Sequence, residues 1–132
     1  MVLANRCFDV FHVGHIRHLA AARALGDRLV VALTVDWAVN KGPGRPINPW
    51  ADRAEVLLAC RYVDEVVPST HAVDAILRVR PAVFVKGVDY EGNPALEPDR
   101  DACARVGAEL VITRTPKMGS GDVLKRMQAC GF

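Results

Sequence analysis

The 132-residue chain has no apolar run that approaches the ~20 residues of a membrane-spanning helix. Its first residues also lack the charged region, the long apolar stretch and the small-residue cleavage site of a signal peptide. We therefore expect a cytoplasmic protein with no membrane partner. The length favours one domain whose hydrophobic core needs no disulfide or metal to hold it.

An excess of one charge is also missing. The 17 lysines and arginines nearly balance 15 aspartates and glutamates, for a formal net charge of +2, and the basic residues form no run. Nucleic-acid-binding domains concentrate positive charge on one face, so we expect no nucleic-acid partner. A small positive excess is compatible with a small anionic ligand.

Metal-binding and redox cysteine pairs are absent as well. The four cysteines, at positions 7, 60, 103 and 130, form no C-x-x-C pair, which argues against a zinc site or a redox motif. We expect free thiols, three of them buried as small core residues. The motifs G-x-x-x-x-G-K-[ST] and G-x-G-x-x-G are missing, which lowers the support for the P-loop and dinucleotide-binding classes.

Short apolar runs alternate with helical patterns along the chain, without an internal repeat or a linker. Continuous apolar runs are typical of parallel strands that are covered on both faces. Strands are predicted at 2–4, 28–34, 65–67, 83–85 and 110–112. Helices are predicted at 15–25, 49–60, 73–79, 98–106 and 122–129. This order predicts an α/β fold, a Rossmann-like doubly wound five-stranded parallel sheet flanked by helices, in a single domain over 1–132.

Two of these helices carry end signals. Gly26 is a plausible stop for the first helix, and Asn48 precedes Pro49 as an N-cap would precede a proline at the first helical position. Ligands of such sheets bind outside the carboxyl ends of the strands. Four segments follow a predicted strand and are rich in Gly, His, Lys, Arg or Asp: 7–15, 35–49, 86–94 and 114–121.

The segment CFDVFHVGH places two histidines around a glycine at the start of the first helix. The free N–H groups at a helix start favour an anion, and Gly14 lets backbone approach a ligand. His12 and His15 can then donate hydrogen bonds to phosphate oxygens. Core histidines and a metal site are the alternatives, although no nearby cysteine supports a metal. We expect His18 on the helix surface and His71 in a loop.

The same segment resembles the signature G-x-F-D-x-x-H-x-G-H of the cytidylyltransferase-like nucleotidyltransferases. KGPGRPINPWADRAEVL is similar to the D-glycero-β-D-manno-heptose 1-phosphate adenylyltransferases within that superfamily. Further blocks of the family match along nearly the whole chain: ALGDRLVVALTVD, RYVDEVVP, VFVKGVDY and ITRTPKMGSGDVL.

The resemblance implies an enzyme that transfers a nucleotidyl group from ATP or CTP to a sugar- or polyol-phosphate. Pyrophosphate leaves and Mg²⁺, bound with the nucleotide, assists. Heptose 1-phosphate adenylyl transfer is favoured, with glycerol-3-phosphate cytidylyl transfer and FAD synthetase-like adenylyl transfer as alternatives. Family relatives also imply a homodimer.

The resemblance also implies roles for individual residues, with no protein ligand for the metal. Catalytic roles fall on His12, His15 and Lys41. Nucleotide binding falls on Cys7, Phe8, Gly14, His15, Asp89, Arg114, Thr115 and Ser120. Binding of the acceptor phosphate falls on Lys41, Arg45 and Arg53.

Two positions depart from the family pattern. Arg6 replaces the glycine of the family's N-G-C-F-D variant, and Gly119-Ser120-Gly121 replaces Ser-Thr-Thr at the start of the last helix. Arg6 either adds a contact to phosphate or narrows the pocket. A hypothesis of a second class follows, in which the chain is a nucleotide-binding module that has lost turnover.

Overall fold

A computed structural model describes residues 1–116 and 119–131. In this part of the chain, five parallel strands form one sheet in the order β3-β2-β1-β4-β5. The strands are β1 (Val2–Arg6), β2 (Leu29–Thr34), β3 (Glu65–Ser69), β4 (Val83–Gly87) and β5 (Glu109–Thr113). The helices are α1 (Val13–Arg23), α2 (Trp50–Leu58), α3 (Ala72–Val79), α4 (Glu97–Val106) and α5 (Ser120–Ala129). Short 3₁₀ turns cover Asp36–Ala38, Val88–Tyr90 and Pro94–Leu96.

The strand order reverses at β1, so the sheet is doubly wound as predicted. Alternate residues of a strand face opposite sides, and β1 divides its side chains accordingly. Val2 and Ala4 pack in one hydrophobic cluster with residues of α1 and α2, whereas Leu3 packs in a second cluster with residues of α3 and α4. Both faces of the sheet are therefore covered, which explains the continuous apolar runs of the central strands. No described helix combines the length and apolarity needed to cross a membrane.

The switch between β1 and β4 positions the site. β1 pairs with β2 on one side and with β4 on the other, so the loops after these three strands open at the same edge of the sheet. Lys86 and Thr113 lie at that edge, near the ends of β4 and β5. The segments predicted to carry the chemistry are thus brought together by topology.

Some local predictions are wrong. The first helix ends at Arg23, three residues before Gly26, and the N-cap of α2 is Pro49. Asn48 lies one residue before that N-cap, and its backbone N–H donates to the buried carboxylate of Asp9. Only one of the three cysteines expected in the core is buried, Cys103; those at positions 7 and 60 are partly exposed and the one at position 130 is exposed.

Candidate active site

The loop between β1 and α1 is held in a strained conformation around a buried carboxylate. Phe8 and Val10 have φ angles of 47° and 55°, in the left-handed region that bulky and β-branched residues rarely occupy. Asp9 between them is fully buried and accepts hydrogen bonds from Arg45 Nε at 2.9 Å, Ile47 N at 2.7 Å and Asn48 N at 3.0 Å. These bonds tie the loop before α2 to the histidine loop.

The charge of Asp9 is consistent with this role. Burial alone would raise the pKa of its carboxyl group. The hydrogen bonds from the two backbone N–H groups and from Arg45 outweigh burial and hold the pKa below its usual value. Asp9 is thus an ionised anchor that fixes the shape of the loop.

His12 and His15 form a stacked pair at the start of α1. Their ring centroids lie 3.8 Å apart with an interplanar angle of 22°. Nδ1 of His12 accepts from the backbone N–H of Gly14 at 3.1 Å, and Nδ1 of His15 accepts from the backbone N–H of His12 at 3.2 Å. A ring nitrogen that accepts a hydrogen bond carries no proton, so each neutral ring holds its proton on Nε2. The N-cap is therefore His12, and the predicted opening of the helix at His15 falls two residues late.

Both imidazoles are kept neutral. Burial, followed by the repulsion that would arise if His12 were protonated as well and by the positive charges of Arg6 and Lys41, lowers the pKa of His15 to about 3. Burial and the charges of Arg6 and Lys41 also lower the pKa of His12. Nε2 of His12 is buried and has no hydrogen-bond partner in the described chain. The pair therefore offers uncharged N–H donors that are free to bind an oxygen atom of a ligand.

His18 is buried, so its predicted place on the helix surface is wrong. It is 2% exposed, and its Nδ1 lies 2.9 Å from Oγ1 of Thr113 at the end of β5. Burial, together with the charges of Arg6 and Lys86, lowers its pKa to about 4. His71 is the N-cap of α3, where its Nδ1 accepts from the backbone N–H of Asp74 at 3.1 Å, so it is more than a loop residue.

Two of the cavities at the carboxyl edge of the sheet have Arg6 in their lining. The first, which we call the His18 cavity, has a volume of about 120 Å³. Its lining includes Arg6, Gly14, His18, Gly87, Asp89 and Thr115. A Cβ atom on Gly87 would lie 2.7 Å from Oδ1 of Asp89, so the glycine is what lets that carboxylate fold over the backbone.

The second, which we call the Lys86 cavity, has a volume of about 160 Å³. Its lining consists of Asn5, Arg6, Cys7, Thr34, Lys41, Lys86 and Tyr90. Three cationic side chains thus share this cavity, and its described lining contains no carboxylate. Lys86 is 7% exposed and its Nζ lies 4.5 Å from the centroid of the Tyr90 ring. Burial lowers the pKa of Lys86, and the charge of Asp99 acts in the opposite direction. An anion is the ligand that this lining favours.

The predicted site residues fall into three groups. One group lies at the two cavities or in the stacked pair: Cys7, His12, Gly14, His15, Lys41, Asp89 and Thr115. Phe8 lies beneath the pair, with its ring centroid 5.1 Å from that of His15. The arginines form a second group, committed to protein partners. The last is Ser120, whose side chain lies outside the described part of the structure.

Each of the three arginines has its own hydrogen-bond or ion-pair partners. Arg45 pairs with the carboxylate of Asp9. Arg53 is buried, and its guanidinium donates to the carbonyl oxygens of residues 7, 34 and 48 and to Oδ1 of Asp36. Arg114 forms an exposed pair with Glu91 through both of its terminal nitrogens. These hydrogen bonds and ion pairs give the three arginines a structural role around the site, so we leave them out of the ligand set proposed below.

Sequence reasoning missed three residues that shape the site: Asp9, His18 and Lys86. A lysine that ends an apolar strand is a signal that could have identified Lys86, because such a residue is seldom buried without a purpose. Asp9 is the aspartate of the quoted signature, but the sequence does not reveal its anchoring role, since that role depends on a loop that arrives from thirty-six residues away. His18 follows Gly14 by four residues, so both lie on the same face of α1. That spacing is a sequence signal that His18 faces the same ligand site as Gly14.

The described residues include no group of three or more His, Cys, Asp or Glu side chains that could hold a metal ion. Mg²⁺ prefers oxygen ligands, and in phosphate-binding sites it keeps several waters and is shared with substrate phosphates. Within the described ranges, the protein side chains do not form a metal cage of their own.

The doubly wound parallel sheet, with a histidine pair at the first helix start, defines a Rossmann-like nucleotidyltransferase domain. The chain belongs to the cytidylyltransferase-like family, whose model matches residues 3–106. The bifunctional protein HldE of Aeromonas hydrophila subsp. hydrophila is 38% identical over 135 aligned positions, which cover 99% of this chain and 28% of the relative. HldE of Campylobacter concisus is 45% identical over 103 residues, or 75% of this chain and 22% of the relative. The chain thus spans only part of these relatives.

Solved structures share the fold. The lipopolysaccharide core biosynthesis protein of Thermoplasma volcanium GSS1 superposes with a TM-score of 0.74 at 24% identity, over 88% of this chain and 97% of that one. Pantoate-beta-alanine ligase of Francisella tularensis, in complex with an ATP analogue and β-alanine, superposes with a TM-score of 0.60 at 14% identity, over 91% of this chain and 60% of that one.

Proposed function

We propose that the domain transfers a nucleotidyl group from ATP, or from CTP, to a phosphorylated sugar or polyol. One observation carries the proposal: two neutral imidazoles at the start of α1 lie beside an anion-favouring cavity lined by Arg6 and Lys41. The positive charges of these two side chains help to lower the pKa of both imidazoles. This arrangement suits two phosphate groups brought together at one edge of the sheet. Membership of the family supports the same chemistry.

The reaction needs no protein nucleophile. An oxygen of the acceptor phosphate attacks the α-phosphorus and forms the new P–O bond, while the bond from the α-phosphorus to the bridging oxygen breaks. Pyrophosphate leaves with that electron pair. Positioning of the two reactants and stabilisation of the developing charge supply the catalysis.

His12 and His15 would act as donors to the α-phosphate or to the leaving group through their Nε2–H groups. Uncharged donors held in place by backbone hydrogen bonds need no reorganisation when charge develops in the transition state. The capping arrangement fixes both rings, so the donors are in position before the nucleotide arrives.

Lys41 and Lys86 would hold the acceptor phosphate in the Lys86 cavity, and Arg6 would stand between the two phosphate sites. Asn5, Thr34 and Tyr90 line the same cavity and can hydrogen-bond an acceptor. The nucleoside would enter the His18 cavity, where Gly14, Asp89 and Thr115 were predicted to bind it. Mg²⁺ would come with the triphosphate, held by phosphate oxygens and water.

An adenylyl group and a heptose phosphate are the favoured donor and acceptor. The stretch KGPGRPINPWADRAEVL supports this choice by its resemblance, and HldE proteins are among the relatives. Glycerol 3-phosphate with CTP is the second candidate. FAD synthetase-like transfer to FMN would need room for a large flavin beside the Lys86 cavity, whose volume is about 160 Å³.

Pyrophosphate release tests the proposal. The chain is incubated with Mg²⁺ and with either ATP or CTP, alone and with heptose 1-phosphate, glycerol 3-phosphate and FMN. We expect release only when nucleotide and one phosphorylated acceptor are both present, and fastest with ATP and the heptose phosphate. The variant Glu91→Gln changes an exposed residue and serves as a control, since a surface substitution should leave the rate of pyrophosphate release unchanged.

The competing class is a nucleotide-binding module without turnover, which the replacement of glycine by Arg6 motivates. Tight binding of ATP or CTP without pyrophosphate release for any acceptor would establish that class and reject the enzyme. Absence of nucleotide binding would reject both.

A further inference from the structure

His18 has a feature that the proposed chemistry does not use. Its Nε2 is buried, and no described residue gives it a hydrogen-bond partner. The ring nevertheless lines the His18 cavity. An unpaired polar atom in such a position costs stability, and a ligand that pairs with it recovers that cost.

The hydrogen bonds on the other side of the ring determine what Nε2 can bind. Oγ1 of Thr113 lies 3.2 Å from the carbonyl oxygen of Lys86, which can only accept, so the single hydroxyl proton is used there. Oγ1 is then the acceptor for His18, and Nδ1 carries the imidazole proton. In the neutral ring Nε2 is left with a lone pair. This is the opposite tautomer to that of His12 and His15, so the three histidines present two donors and one acceptor.

The His18 cavity contains a second hydrogen-bond acceptor. Asp89 lines the same cavity, and its carboxylate is folded over Gly87. His18 lies three residues beyond His15, which places it about 4.5 Å further along α1. A group bound there lies next to whatever group the imidazoles of the helix start hold.

We propose that Nε2 of His18 accepts a hydrogen bond from a hydroxyl of the nucleotide ribose, with Asp89 accepting from the neighbouring hydroxyl, so that the pair selects ribonucleotides over deoxyribonucleotides. The inference rests on the proposed function, because it assumes that the α-phosphate lies at His12 and His15. The ribose hydroxyls are the donors of a nucleotide nearest to that phosphate. The exocyclic amino group of the base lies farther away.

Access to Nε2 requires a side chain to move. Arg6 lines the cavity, and its guanidinium makes no hydrogen bond or ion pair with the described residues. It is therefore free to turn towards the phosphates as the ribose enters.

Equilibrium binding of nucleotides by calorimetry tests the proposal. The ligands are ATP, 2′-deoxyATP, 3′-deoxyATP and ITP, with the cytidine series added if CTP binds more tightly. We expect wild-type protein to bind at least one deoxynucleotide more weakly than ATP by a factor on the order of ten, the effect of one lost hydrogen bond. The variant His18→Phe should bring that ratio to within about twofold of unity for the one deoxynucleotide that lacks the hydroxyl bound by His18, and should keep the preference for the hydroxyl bound by Asp89.

The variant Thr113→Val keeps the imidazole but removes the group that fixes its proton, so we expect partial loss of the discrimination. A measurement that needs no variant accompanies these: ¹⁵N NMR of the free wild-type protein at pH 7 should show His18 as the Nδ1–H tautomer. A proton on Nε2 would overturn the proposal, even if the variants fail to fold.

Three further outcomes are decisive. Equal binding of ATP and both deoxynucleotides by wild-type protein would reject ribose recognition while leaving nucleotidyl transfer intact. Loss of the ATP-over-ITP preference in His18→Phe, with the ribose preference kept, would assign His18 to the base instead and overturn the proposal. Failure of wild-type protein to bind either ATP or CTP would reject the proposed function and this inference together.

Discussion

The backbone N–H of His12 donates to Nδ1 of His15 at 3.2 Å, and this hydrogen bond gives His15 both a structural and a chemical role. It closes a capping box at the start of α1, and it fixes the ring proton of His15 on Nε2. Structural and chemical roles are therefore carried by different nitrogens of the same ring. Substitutions that separate the two nitrogens can separate the two roles.

The pair His15→Gln and His15→Ala makes that separation. A glutamine at the third helical position can also reach back to the N-cap N–H. His15→Gln should therefore stay close to wild type in thermal unfolding, whereas His15→Ala should lose about 1 kcal/mol. Both should lower kcat by a factor on the order of 10² or more, because alanine has no donor and the glutamine amide, once its oxygen accepts from the His12 N–H, does not hold an N–H where the imidazole Nε2–H lies.

Unfolding midpoints and pyrophosphate release rates check these outcomes side by side. Wild-type turnover in His15→Gln would show that the imidazole is structural only. An equal loss of stability in both variants would contradict the capping role.

Asp9→Asn tests the anchor beneath the site. The amide keeps the size of the carboxylate but loses its charge, and it turns one acceptor into a donor that faces N–H groups. Because Asp9 is fully buried and Arg45 would lose its ion partner, we expect the free energy of unfolding to fall by about 2 kcal/mol. KM for the acceptor should rise as the loop over 45–48 loosens.

Glu91→Gln is the matched control, since it also removes a carboxylate that pairs with an arginine. The pair of Glu91 and Arg114 is exposed, and such pairs contribute about 0–1 kcal/mol. Chemical denaturation of both variants gives the comparison. A loss for Asp9→Asn no larger than that for Glu91→Gln would refute the anchoring role.

Sequence reasoning predicted the fold well because its signals are local. Buried parallel strands give continuous apolar runs, and the chain order of strands and helices then restricts the topology. The N-terminal histidine pair was found for the same reason, since motif and helix start are adjacent. The contacts of Arg53 were not foreseeable, because its carbonyl partners come from three separate segments.

The misplacement of His18 has a physical explanation. Its neighbours on α1 predict an ordinary surface position, and only the distant Thr113, at the end of β5, gives the imidazole a buried partner. A polar residue is buried when another element satisfies it. The sequence of α1 alone does not contain that element.

The substitution Arg6→Gly restores the glycine of the family pattern and tests what the arginine does at that position. Arg6 lines both cavities and its positive charge helps to lower the pKa of His12, His15 and His18. If it is a phosphate contact, Arg6→Gly should raise KM for nucleotide about tenfold or more, the cost of one charge-assisted hydrogen bond, and Arg6→Lys should recover part of the loss. Steady-state kinetics with ATP and the preferred acceptor measure both. Higher activity in Arg6→Gly would show instead that the side chain obstructs the pocket.

The buried histidines predict how stability depends on pH. Burial and nearby cations lower the pKa to about 3 for His15 and about 4 for His18, below the ordinary histidine value of 6.5. Between pH 6.5 and about 4, the unfolded chain therefore binds protons that the folded protein does not. The contribution of these two groups to stability is present above pH 6.5 and is lost as the pH falls.

Denaturant unfolding of wild type and His15→Gln from pH 7.5 to pH 4.5 measures this effect. Each histidine contributes a slope of up to about 1.4 kcal/mol per pH unit, so the wild-type curve should fall more steeply than that of His15→Gln by up to that amount. Carboxylates that titrate in the same range are common to both proteins and cancel in the difference. Parallel curves would mean that His15 takes up a proton in the folded protein near its usual pKa, and the uncharged Nε2–H donor assigned to it would have to be replaced by an imidazolium.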